Sequence, residues 1–168
     1  MILDLRGNAG GLIVEAASVG GVFMPPHTVL ARIHRRGQAP SVIETSGQPL
    51  LLRTPLVVLV DGNSAPASEI LAGAFKDDKR ATIIGDKTAG ALGGSVIVRL
   101  PEGGMSVTVE RTVTPKNQQV EAIGITPDIT VSLTVVDVES GQDPQLQAAL
   151  HTLGTTRMEL MERRLKAA

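Results

Sequence analysis

The stretch Asp61-Gly62-Asn63-Ser64-Ala65-Pro66-Ala67-Ser68-Glu69 lies between an apolar run, Pro55–Val60, and a helical pattern, Glu69–Lys76. A strand that turns sharply into a helix is where hydrolases often display a nucleophilic serine. Here the tip of the turn is Pro66, with Ser64 and Ser68 two residues to either side. A second segment carries related chemistry. Met1–Gly11 runs an apolar strand into Asp4-Leu5-Arg6-Gly7-Asn8-Ala9-Gly10-Gly11. Backbone N–H groups of such a turn can hold a developing oxyanion, because they need only the right geometry. A third, Gly85–Gly94, is a glycine-rich loop after a short strand. A scaffold for acyl transfer is legible in these pieces, but a nucleophile is missing from them.

These segments resemble the C-terminal processing (tail-specific) peptidases, serine peptidases with a Ser/Lys dyad. Five blocks in order carry the resemblance. After the first two come Arg80-Ala81-Thr82-Ile83-Ile84-Gly85-Asp86-Lys87-Thr88-Ala89-Gly90, then Thr114-Pro115 with Gly124-Ile125-Thr126-Pro127-Asp128. The last is Asp143–Leu153, which looks like the family's closing helix. The resemblance implies an α/β fold, the crotonase/ClpP-like spiral of ββα units with an added β-hairpin. It implies a serine endopeptidase cutting polypeptides near their C-termini, without cofactor or metal. Longer members carry an export signal and a peptide-binding PDZ domain upstream. This chain is therefore expected to be a single catalytic-core domain, 1–168, ending in a helical segment at 144–168. An extracytoplasmic location follows from the same resemblance.

The dyad needs a serine hydroxyl and a neutral lysine amine, whose pKa burial lowers. Laid on this chain, the family's elbow puts Pro66 at the nucleophile, and proline has no hydroxyl. In the loop, direct alignment puts Ala91 at the base. Moving the gap by two residues puts Gly93 there. A glutamine that often follows is matched by Ile97 or an apolar neighbour. The backbone donors are expected from Gly10 or Gly11 and from Ala67. The resemblance thus implies a peptidase-family domain that is inactive or impaired. Two rivals stand beside it: a non-catalytic peptide-binding or assembly module, and an active peptidase using Ser64 or Ser68.

Other residues offer little rescue. Ser68 falls in the first helical turn, where a serine caps or packs. Ser64 reads as a turn residue beside Asn63, and Lys87 as a solvated lysine. His27, His34 and His151 lie on unrelated segments, which argues against a Ser/His/Asp triad. Asp4 and Arg6 are expected to pair, and Asp128 to cap or turn the chain. No His/Asp/Glu group has metal-ligand spacing. The Gly85–Gly94 loop lacks the Gly-Lys-Ser/Thr ending of a phosphate loop.

Composition narrows the classes further. The 168 residues suit one domain with a real core. With two Phe and no Trp or Tyr, that core must be Val, Ile, Leu and Ala, and base-stacking nucleic-acid readers are disfavoured. A net charge of −1 argues against a broad polyanion surface. The absence of cysteine excludes disulfides and thiolate chemistry. No apolar stretch approaches a membrane span. Bare packing surfaces where upstream residues would sit lead us to expect self-association.

The elements that must position the site read as follows. Ile2–Leu5, Leu56–Val60 and Ala81–Ile84 are short buried strands, the second rich enough in Val to be covered on both faces. Leu12–Phe23 and Ala67–Lys76 are helices, the first stopped by Pro25-Pro26. Val29–Arg35 and Ser41–Thr45 form a hairpin, as do Ser95–Leu100 and Met105–Val113 around Pro101-Glu102-Gly103-Gly104. Ile129–Val136 reads as a late strand. Pro144–Leu153 and Thr156–Lys166 read as helices divided by Gly154. Helices between buried strands indicate mixed α/β layers.

Overall fold

The computed structural model describes residues 1–154. Two four-stranded sheets carry the architecture. In the first, β1 (Ile2–Asp4), β4 (Val57–Val60), β5 (Thr82–Gly85) and β8 (Ile129–Thr130) lie in the order β1-β4-β5-β8, all parallel. In the second, β2 (Val29–Arg35), β3 (Ser41–Glu44), β6 (Gly94–Leu100) and β7 (Gly103–Val113) lie in the order β3-β2-β7-β6, all antiparallel. Helices α1 (Ile13–Phe23) and α2 (Pro66–Asp77) pack against each other, and α2 also meets β2 and β5.

Period-two alternation in β4 divides its side chains between two cores. Val58 and Val60, with Ile83 of β5, face α1 and α2 and join Leu30, Met24, Leu71 and Phe75. Val57 and Leu59, with Ile84, face the opposite way and meet Ala149 and Leu153 of a helix at 144–154. A strand buried on both faces is an unbroken apolar run, which is what residues 57–60 show. The two phenylalanines meet edge to face, their ring centres 5.9 Å apart, and the Arg80 guanidinium lies 5.8 Å from the Phe23 ring. Arg80 also donates to the carbonyls of Phe23, Leu51 and Thr54, closing the bottom of this core.

Most expected elements are present within one or two residues. One is corrected. The late strand stops at Thr130, and Val135–Glu139 is a short helix, α3. Three valines favour a strand, but Thr134 and Asp137 form a capping box that closes the helix's first turn. Gly154 is itself helical, in a helix described over 144–154. The expected helix at Thr156–Lys166, and with it most of the expected 144–168 segment, lies outside the described residues.

Candidate active site

The elbow forms because β4 must stop and α2 must start within five residues. Asp61 closes the turn: its Oδ1 accepts from the N–H groups of Gly7 and Asn63, each at 3.0 Å. Burial alone would raise the Asp61 carboxyl, but these N–H donors, with the Ser64 and Asn63 side chains, hold it below the usual carboxylate range. Pro66 is the first residue of α2. Its fixed φ suits that position, and the N–H it lacks would have no helical partner there.

The glycine turn is docked directly on this elbow. The Asn8 carbonyl accepts from Ala65 N–H and from Ser68 Oγ, both at 3.1 Å. Gly10 has φ of +86°, and a Cβ on it would lie 2.9 Å from the Ala65 carbonyl oxygen and 3.0 Å from Ala67 N. Only glycine serves where a left-handed backbone presses so closely on another. The Gly10 N–H is occupied by its neighbour Asn8 Oδ1 at 2.9 Å. The N–H groups of Gly11 and Ala67 enter no hydrogen bond among the described residues. Beside them opens a cleft of about 420 Å³, lined by Leu5, Gly11, Leu12, Ala16, Val19 and Leu71 among others.

Both flanking serines are enclosed. Ser64 is 0% exposed; its hydroxyl donates to the Leu5 carbonyl at 2.7 Å and accepts from Asp61 N–H at 3.0 Å. Ser68 is 2% exposed and donates to Asn8. Neither hydroxyl is hydrogen-bonded to a lysine or histidine among the described residues. Lys87 is exposed, as is His27 beside Glu44. Asp128 leads the chain into β8 beside β5: its Oδ2 accepts from Ile83 N–H and its Oδ1 pairs with Lys76.

One polar residue of the site escaped the sequence reading. Glu69, in the first turn of α2, is 1% exposed. Its Oε1 accepts from Thr88 Oγ1 at 2.5 Å and Gly90 N–H at 2.6 Å, and its Oε2 accepts from Ala91 N–H at 3.0 Å. A carboxylate is almost never fully buried without partners. That rule was the available signal, since Glu69 stands among Ala, Ile, Leu and Phe in α2. The loop around Ala91 is thereby tied to the elbow. Ala91 is exposed, and no basic side chain lies at 91 or 93. A Cβ at Gly93 would meet the carboxyl of Glu121 at 3.0 Å.

Arg6 pairs with Asp4 as expected, and also with Asp143 at the start of the 144–154 helix. Its guanidinium holds both carboxyls below the usual aspartate range. A lowered folded pKa stabilises the protein above the ordinary aspartate pKa, about 3.9, and that stability is lost as pH falls through the lowered values. Both side chains are partly exposed, 48% and 31%, so salt screens the effect. Urea melts stepped down in pH are expected to show an acid loss of stability that is shallower in Arg6→Gln. An unchanged slope would remove Arg6 from the acid response.

Comparison with known proteins places this arrangement. Peptidase family S41 matches residues 1–131. The chain belongs to peptidase family S41. It is 38% identical to a carboxyl-terminal-processing protease of Synechocystis over 90% of its own length and 36% of that protein's. It is 34% identical to the chloroplastic C-terminal processing peptidase of Tetradesmus obliquus, over 83% of its length and 30% of that protein's. The solved photosystem II D1 C-terminal processing protease matches at 36% identity with a TM-score of 0.69, covering 78% of this chain and 34% of the other. A putative peptidase from Parabacteroides merdae shares the fold with a TM-score of 0.78 over 90% of this chain and 51% of the other, at 24% identity. The S41 chain thus spans about a third of the length of these curated relatives. It is a serine-peptidase-family domain of α/β architecture.

Proposed function

We propose that this S41 domain keeps the oxyanion scaffold of a C-terminal processing peptidase but has lost its dyad, and is inactive or severely impaired. The observation that carries the reading is the elbow itself: α2 begins with Pro66, a residue without a hydroxyl, at the tip where the nucleophile would stand. The unengaged N–H groups of Gly11 and Ala67, facing the 420 Å³ cleft, support an intact oxyanion hole. The enclosed hydroxyls of Ser64 and Ser68, both spent on backbone carbonyls, favour a structural role for them over nucleophilic attack. Ala91 at the base position offers no proton acceptor.

The same cleft favours a second reading, a module that binds an extended polypeptide without cutting it. In either case the ligand class is polypeptide. The spiral of ββα units, the single 1–168 domain and an extracytoplasmic location are part of the proposal; the chloroplastic names of several relatives agree with the last. The deciding experiment is incubation of the unmodified chain with casein. We expect no cleavage, and cleavage abolished by Ser64→Ala or Ser68→Ala would overturn the reading.

Self-association belongs to the same proposal. β6 is an edge strand with Val96, Val98 and Leu100 each over 40% exposed and Ile97 78% exposed, next to Met105 at 50%. Apolar edges of this kind pair readily. Sedimentation is expected to show a concentration-dependent dimer or larger species. A clean monomer throughout would remove this part.

A further inference from the structure

We propose that the ribbon formed by residues 95–108 lies, apolar face down, across the cleft of a second copy of this chain, which returns its own ribbon in the same way. The inference rests on the self-association set out above and names the surfaces that meet. β6 pairs with β7 alone, and β7 joins β2 at residues 110–113, beyond the ribbon. A two-stranded ribbon is marginal by itself in water. The register sorts its side chains onto two faces. Val96 stands opposite Val107 and Val98 opposite Met105, so these four share one face with Leu100. Ser95, Arg99, Ser106 and Thr108 lie on the other face, together with Ile97. The apolar face is bare within one chain: Val96, Val98, Leu100 and Met105 are all exposed.

The same chain presents a surface that matches this face. Leu12 and Val14, at the head of α1, are 68% and 65% exposed, and Ile13 between them is 42% exposed. Leu12 and Glu15 also line the cleft of about 420 Å³, which carries the apolar surface inward through Val19 and Leu71. The charges are complementary as well. Glu15 is the one charged residue of α1, and Arg99 is the one charged residue of β6. Both are exposed, and neither enters an ion pair among the described residues. One surface is apolar with an unpaired cation, the other apolar with an unpaired anion. That match selects a second copy as the occupant. A twofold dimer makes each contact twice, so each ribbon roofs the other copy's cleft. The cleft that would receive a polypeptide then has a wall supplied by its partner.

The chain has no cysteine, so introduced cysteines report proximity without interference. A Val98→Cys chain and a Leu12→Cys chain are mixed and treated with a short bifunctional thiol reagent. Both positions are exposed, so neither substitution threatens the fold. The mixture is expected to give a cross-linked dimer holding one chain of each kind, in clear excess over either variant alone. Val98→Cys bridging only to itself would mean β6 edges paired side by side; it would overturn this placement and leave self-association standing. A dimer in sedimentation with no bridge between positions 98 and 12 would overturn it equally, and a monomer throughout would overturn both. Charge gives a second readout. Glu15→Arg and Arg99→Glu should each weaken the dimer roughly 2- to 30-fold, two exposed pairs being lost at once. The double variant, with the charges exchanged, should recover most of that loss. A double variant weaker than either single one would show the two charges to be independent and overturn their pairing. None of these readings depends on whether the chain cuts a peptide bond, so they stand or fall apart from the casein result.

Discussion

Pro66→Ser combined with Ala91→Lys is expected to give the chain casein-cleaving activity that neither change gives alone. Members of a catalytic unit act together, so losing one removes most of the rate and losing the second adds little. Pro66→Ser alone supplies a hydroxyl beside the Ala67 N–H but no base. Ala91→Lys alone supplies an amine with nothing to deprotonate. The double variant should exceed either by orders of magnitude, on the order of 10⁴-fold if the dyad is fully rebuilt. Full rebuilding is not expected at neutral pH. Residue 91 is exposed, and the Glu69 carboxylate binds its N–H. An exposed lysine near a carboxylate stays protonated up to about pH 10. The rate should therefore climb as pH is raised from neutrality. A parallel Pro66→Ser with Gly93→Lys should remain inactive. Activity from that variant but not from the 91 variant would move the base position to 93.

Phe75→Ala should be the most destabilising single truncation in the core. Phe75 is 0% exposed, stands on α2 between the parallel sheet and α1, and meets Phe23 edge to face. Removing a buried phenyl ring costs about 3–5 kcal/mol, because the surrounding atoms close the cavity only in part. Apart from Phe23 the core is aliphatic, so no further ring is at hand to fill the space. For a domain of this size the midpoint of thermal unfolding should fall by about 10 °C. Far-UV circular dichroism melts measure it. A loss under 1 kcal/mol would show that the two cores, on either side of β4, carry stability independently of the ring pair.

The same residues explain what the sequence disclosed. Val57–Val60 announced a doubly covered strand because every one of its side chains had to be apolar. Pro66 was legible as the head of a helix after a sharp turn because its place between strand and helix is set by short-range pattern. Glu69 was not legible in its role. Its partners lie 19 to 22 residues downstream, and no periodicity says which carboxylate reaches across such a distance. The choice between 91 and 93 was open for the same reason. Val135 and Val136 went the other way from expectation because a local cap at Thr134 outweighed the strand preference of these valines.

The proline at the head of α2 changes the ensemble that the folded state competes with, besides changing the chemistry. Its ring restricts residue 66 in the unfolded chain to backbone angles already close to those it needs in the helix. A proline in such a place lowers the entropy of the unfolded chain and stabilises the fold by about 0.4–1 kcal/mol. A serine there would have to be brought into the same conformation from a wider set. Placing a serine hydroxyl there therefore runs against a gradient of stability. A population of such chains selected for persistence alone would drift toward proline and stay there.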